Sequence, residues 1–215
     1  MEVLVEYSDE ILHGFGVTLL LFVWSAAGSL VFGTALAAMR VSPVPIARGF
    51  AAIYVHITRN APSILLFVIV VFGFPVLKIQ LSFFTYAVIA LTIYKASFVC
   101  EALRSGIQAI QPGQTEAARS LGMTTGQVLR YIVLPQGFRS SIQPVNNTLI
   151  ALLKSTAIAA GFGVTEATYQ LDELVRDRPD VLYIIFFGIA AGYIILTLAI
   201  SGIAQLIGNR LEVVR

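Results

Sequence analysis

Two lysines and one arginine stand in parts of this sequence that are otherwise almost free of charge. Lys154 opens the triplet Lys154-Ser155-Thr156, an ammonium beside two hydroxyls, about two helical turns beyond Asn146 and Asn147. An ammonium with neighbouring hydroxyls can hold a carboxylate. A cation inside an apolar span faces a bundle interior or an aqueous path and has a partner. Two readings follow: Lys154, Ser155 or Thr156 lines a path and meets a carboxylate, or Lys154 is structural, paired with a carbonyl or carboxylate or snorkelling. Lys95, six residues before Glu101, is expected to snorkel to the headgroups on its long stem. Arg59, a further candidate for the path, is either buried and paired near an inner gate or an interfacial anchor, depending on where its helix starts.

Other chemistry finds no residues. A P-loop needs glycine immediately before its lysine, and the three lysines follow Leu77, Tyr94 and Leu153. No nucleophile has a His–Asp constellation, so no catalytic residue is expected. His13 and His56 fall on opposite sides of the first apolar stretch, and no cluster has metal-ligand spacing. The single Cys100 excludes an internal disulfide. A net charge of +2 without aromatic-basic interleaving argues against nucleic acid.

The elements that would carry these residues are membrane helices. Of the 215 residues 57% are hydrophobic and only 12% charged, about half the charge of a soluble domain; mean hydropathy is +0.84. A spanning helix needs roughly 20 apolar residues, and five segments qualify, near 15–39, 50–77, 81–100, 140–165 and 181–208. Backbone hydrogen bonding in lipid makes each a helix. The expected fold is an all-α integral membrane protein, one domain over 1–215. The acidic start, with Glu2, Glu6, Asp9 and Glu10, argues against a cleaved signal peptide, so the first span is expected to remain.

Basic residues orient the spans. Lys78, Arg176 and Arg178 fall on one side; Arg40, Arg48, Arg59, Arg104, Arg119, Arg130, Arg139, Arg210 and Arg215 fall on the other. The positive-inside rule puts the N-terminus outside and the C-terminus and residues 101–139 in the cytoplasm. Phe83, Phe84, Tyr86, Tyr183, Phe186 and Phe187 read as an outer aromatic belt. The acidic segment 166–180 reads as a surface helix or as part of a receiving surface for a partner.

The loop 101–139 is the polar centre of an apolar chain. Pro112 suits a first helical turn, Ala117 and Ala118 favour helix, and Gly122 sits where a left-handed C-terminal residue is expected. Thr124 and Gln127 have capping-box spacing for a second helix, expected to end at Pro135. Glu116 and Arg119, one turn apart, can pair on the surface. Locally this is either an ordinary connector or a docking element with a sharp elbow.

The spacing Glu116-Ala117-Ala118, Gly122, Ile132, Leu134-Pro135 resembles the EAA signature of permease subunits of ABC importers. "NNTLIALLKSTAIAAGFGVTEA" (146–167) and "YVHITRNAPSILLFVIVVFG" (54–73) are similar to spans of the polar amino-acid permeases for histidine, glutamine and glutamate, although Ala61 replaces the usual threonine. "FGTALAAMRVSPVPIAR" and "FVCEALRSGIQAI" resemble actinobacterial glutamate-uptake permeases in particular. The resemblance implies a multi-pass permease of a bacterial cell membrane, bathed by lipid, with glutamate as first-choice substrate. It implies a coupling helix over Glu116, Ala117, Ala118, Arg119 and Gly122, with Ile132, Leu134 and Pro135 structural. It also implies separate ATPase subunits that bind ATP and Mg, a second permease (itself or a sister), and an extracytoplasmic amino-acid-binding protein. No cofactor is expected in this chain. The alternative is a stand-alone membrane carrier or an intramembrane enzyme.

Overall fold

The structure, a computed structural model, describes residues 2–211 and the side chains of 3–206. Arg210 and Arg215, which enter the charge asymmetry above, have side chains outside the described set. The described chain is helical: α1 (Glu2–Glu6), α2 (Ser8–Val41), α3 (Pro45–Asn60), α4 (Ser63–Val76), α5 (Phe83–Gln108), α6 (Pro112–Ser120), α7 (Thr125–Val128), α8 (Leu134–Ser155), α9 (Ala167–Asp177) and α10 (Leu182–Leu211). A π-turn over Leu129–Val133 joins α7 to α8, and 3₁₀ turns cover Thr156–Phe162 and Pro179–Val181. Three helices are long and apolar enough to cross a membrane alone; two bent pairs bring the number to as many as five.

The second expected span is not one helix. α3 and α4 meet at 104°. The cause is local: Pro62 holds Ala61 extended at φ −83°, ψ 143°, because the proline ring disfavours helical geometry in the residue before it. The Asn60 side chain donates to the His56 carbonyl at 2.7 Å, covering an end carbonyl of α3. The next turn is tied by Tyr86, whose hydroxyl donates to Ile79 O at 2.8 Å and accepts from Leu81 N at 2.9 Å. Tyr86 is buried, so it leaves the expected aromatic belt and acts as a clasp between α4 and α5.

The helices pack through small residues. A Cβ on Gly28 would lie 2.7 Å from Thr92 Oγ1, and one on Gly33 would lie 2.6 Å from Val99 Cβ, so α2 and α5 run with their backbones close. Leu21, Phe67, Leu91 and Leu152 bring α2, α4, α5 and α8 into one core. Phe67 stacks on Phe162 at 5.1 Å between centroids. A second cluster joins Leu36, Ala51, Val55, Ala96 and Cys100 where α3 crosses α2 and α5.

Two boundaries differ from expectation. α5 continues to Gln108 and α8 already starts at Leu134, so the connecting segment is shorter than 101–139. Pro135 does not end a helix; it lies in the first turn of α8, and the backbone is helical from Thr125 to Phe162. The π-turn permits this. Leu134 N–H reaches back to Leu129 O, one residue further than in an α-helix, at the place where proline has no N–H of its own to give.

Lys95 also departs from expectation. It lies near the middle of α5 and is only 5% exposed, covered by its neighbours rather than reaching outward. Its ammonium instead sits over the rings of Tyr94 at 5.2 Å and Phe98 at 5.5 Å, an attraction between the cation and the negative ring faces.

Candidate functional site: the α6 elbow and the Lys154 cleft

The loop folds as its caps demand. Thr124 Oγ1 accepts from Gln127 N at 3.3 Å, and Gln127 Oε1 accepts from Thr124 N at 2.8 Å, a complete capping box. At the other side of the elbow Gly122 has φ +83°, a conformation that penalises a Cβ. Gly122 N bonds Arg119 O at 2.9 Å and Met123 N bonds Ala118 O at 3.2 Å. Those two bonds make a Schellman ending, which fixes the angle between α6 and α7.

Ala118 and Val128 are buried inside the elbow. Glu116, Ala117 and Arg119 are left on the open side. Glu116 and Arg119 form no ion pair among the described residues, so both charges stay available. Leu121, at the tip beside Gly122, is 85% exposed. Sequence reading passed over it, although a large apolar residue just ahead of a helix-ending glycine was a visible signal. Of the remaining signature residues, Ile132 is half-buried, and Leu134 and Pro135 are exposed along the start of α8.

The second region lies at the far end of α8. Lys154 is exposed and lines a 410 Å³ cleft between α8, α9 and α10, together with Ala157, Thr168, Tyr193 and Thr197. The cleft is lined mainly by apolar side chains, and two of its three hydroxyl groups are engaged behind it, Tyr193 donating to Glu166 at 2.6 Å and lying 3.3 Å from Thr168 Oγ1. The structure does not bring Lys154's neighbours with it. Ser155 Oγ donates to Ala151 O at 2.7 Å. Thr156 is fully buried and donates to Leu153 O at 2.6 Å, which corrects the reading of Thr156 as a path-lining group. Two residues beyond Lys154, Thr156 lies about 200° round the helix and so faces the core. Arg59 lines a different cavity, with Phe98 and Glu101.

Behind the cleft sits Glu166, fully buried and unremarked in the sequence except as part of an acidic loop. It is the N-cap of α9: Oε1 accepts from Thr168 N at 2.8 Å and Tyr169 N at 3.0 Å. Oε2 accepts from Tyr193 Oη at 2.6 Å and Thr18 Oγ1 at 3.3 Å. One carboxyl group therefore ties α2, α9 and α10 together. α9 approaches α2 closely at Gly14, where a Cβ would lie 3.0 Å from Ala167 Cα. Removing the carboxyl by Glu166→Ala orphans two backbone donors and a phenol and is expected to cost about 3 kcal/mol. Glu166→Gln, which keeps an acceptor, should lose less than half of that. Thermal unfolding of the detergent-solubilised chain reads both; equal melting of the alanine variant and wild type would refute the tie.

Comparison with known proteins matches this architecture closely. The family model described as "Binding-protein-dependent transport system inner membrane component" aligns with residues 12–213. The chain is 40% identical to the glutamate transport system permease protein GluC of Corynebacterium efficiens, over 90% of each chain. It is 36% identical to the probable glutamine ABC transporter permease protein GlnM of Bacillus subtilis, over 94% of this chain and 93% of that one. Among solved structures, a chain of an amino acid ABC transporter with histidines superposes with a TM-score of 0.90 at 30% identity, covering 97% of each. The class is therefore that of a membrane-embedded transport permease. The chain belongs to the family of binding-protein-dependent transport system inner membrane components.

Proposed function

We propose that this chain is the permease subunit of an ATP-driven amino-acid importer and that its cargo is glutamate. The observation that carries the reading is the α6 elbow: an exposed helix face with Glu116, Ala117 and Leu121, held at a fixed angle by Gly122 and the Thr124 cap, with no packing role inside the chain. The similarity to the glutamate permeases supports the cargo. In this reading the α6 face docks on a separate ATPase subunit that binds ATP and Mg. A second permease, identical or a sister, completes the path. The N-terminus lies outside, five spans cross the membrane, and the α9 end receives a binding protein. Arg176, Asp172 and Glu173 on α9 give that encounter its charge dependence. Lys154 lines the path and holds the substrate carboxylate in passing.

The test is ATP-dependent uptake of labelled glutamate by membranes carrying the chain with its partner subunits, against excess unlabelled glutamate, glutamine, aspartate or arginine. Suppression by glutamate at the lowest concentration supports the cargo; suppression by another amino acid at lower concentration replaces it. Lys154→Met keeps the stem and removes the charge. It should lower glutamate uptake about tenfold at unchanged membrane level, as expected for one charge-assisted contact. Unchanged uptake makes Lys154 structural.

A further inference from the structure

One polar cavity belongs neither to the elbow nor to the Lys154 cleft. It measures 390 Å³ and is lined by Arg40 from the end of α2, His56, Arg59 and Asn60 from α3, and Phe98 and Glu101 from α5. Its charges do not balance. Among the described residues Glu101 is the only carboxylate lining it, and Arg104 engages both oxygens of that group, one at 3.0 Å through Nε and the other through a terminal guanidinium nitrogen. Arg59 stands further off at 3.9 Å, with its guanidinium 5.3 Å from the Phe98 ring centre. Arg40 is near enough to act on the same carboxylate. The Lys95 ammonium lies against the same Phe98 ring. Three arginines therefore surround one carboxylate, and such crowding is relieved when a further anion enters.

The walls indicate which anion. Ala52, His56 and Arg59 fall on one flank of α3 at helical spacing and face the cavity. Ile46, Phe50, Ile53 and Ile57 form an exposed apolar stripe along the neighbouring flank of the same helix, each at least 60% exposed. A cationic slot therefore adjoins an apolar rail more than two turns long. That combination matches a molecule with a charged head and a hydrocarbon tail.

We propose that this cavity binds the phosphodiester of an anionic phospholipid, with Arg40 and Arg59 on the phosphate oxygens and an acyl chain along the Ile46–Ile57 stripe. Basic pockets between membrane helices are suited to such headgroups, and guanidinium forks match phosphate geometry. The site requires a chain embedded in lipid and is independent of what the chain transports.

The test is native mass spectrometry of the full chain released from detergent after exchange into mixtures of phosphatidylglycerol and phosphatidylcholine. Wild type should retain one phosphatidylglycerol in preference to phosphatidylcholine. The double variant Arg40→Gln/Arg59→Gln should retain it about 30-fold less, and Arg40→Lys/Arg59→Lys should stay within a few-fold of wild type. Glu101→Gln removes the competing carboxylate and should raise retention about fivefold; it serves as the deciding variant if the glutamine pair does not fold. Equal retention across these variants overturns the site. Displacement of the lipid by millimolar glutamate or inorganic phosphate, with the small anion then retained, reassigns it to a free oxyanion and also overturns the proposal.

Discussion

Glu116→Lys should abolish uptake and release the ATPase subunit while the chain reaches the membrane at its normal level. Glu116 is exposed on α6 and its side chain pairs with nothing among the described residues, so its replacement should leave the fold untouched. What changes is the face offered to the partner: a carboxylate becomes an ammonium one turn from Arg119, and two like charges then sit where one of each sign stood. Reversal at a desolvated contact costs several kcal/mol, enough for a loss of at least about 100-fold in uptake. Leu121→Ser should act in the same direction by removing the apolar tip, an anchor of the kind that dominates interfaces when it fills a pocket. Co-purification of the ATPase with the tagged chain, measured beside uptake, separates the outcomes. Retained ATPase with normal uptake in both variants would mean that α6 is a connector only.

The second large effect is structural. A Cβ on Gly106 would stand 2.0 Å from Ser141 Oγ, 2.6 Å from Gly137 O and 2.8 Å from Ser141 N. Two of those atoms belong to the backbone of α8 and cannot rotate away. Ser141 is itself fixed, donating to Gly137 O at 2.6 Å. Gly106→Ala therefore forces α5 and α8 apart at the base of the loop and should destabilise the chain by about 3 kcal/mol, the upper part of the range for overpacking; Gly106→Leu should prevent accumulation altogether. Gly113→Ala and Gly126→Ala are the controls, because a Cβ at either meets nothing within 4 Å. Melting in detergent gives the comparison, and a Gly106→Ala chain as stable as the Gly113→Ala chain would show that the helices yield there.

Much of this was legible in the sequence because it is local. Capping-box spacing, a glycine after a helix and long apolar runs each act locally, and Thr124, Gly122 and the three long apolar helices behave accordingly. The bend before α4 was also written locally, in Ala61-Pro62, but the unbroken hydropathy on both sides concealed it. What stayed hidden depends on rotation about a helix axis and on distant partners. Thr156 follows Lys154 by two residues, about 200° round the helix, and only its packing partners show that its side is the core. Lys95 is internal because of what α5 packs against, which no window around residue 95 contains. Two of the partners of Glu166 lie far away in sequence, at Thr18 and Tyr193.

The π-turn between α7 and α8 has a geometric consequence. Its wider rings hold one more residue than an α-turn, and every carbonyl in it has an alternative donor one position nearer, save where Pro135 offers none. Removing that extra residue would rotate everything on its N-terminal side by about 100° relative to α8. The backbone stays helical from Thr125 to Phe162, so the π-turn sets the direction in which the α6–α7 elbow points around the α8 axis without interrupting the connection.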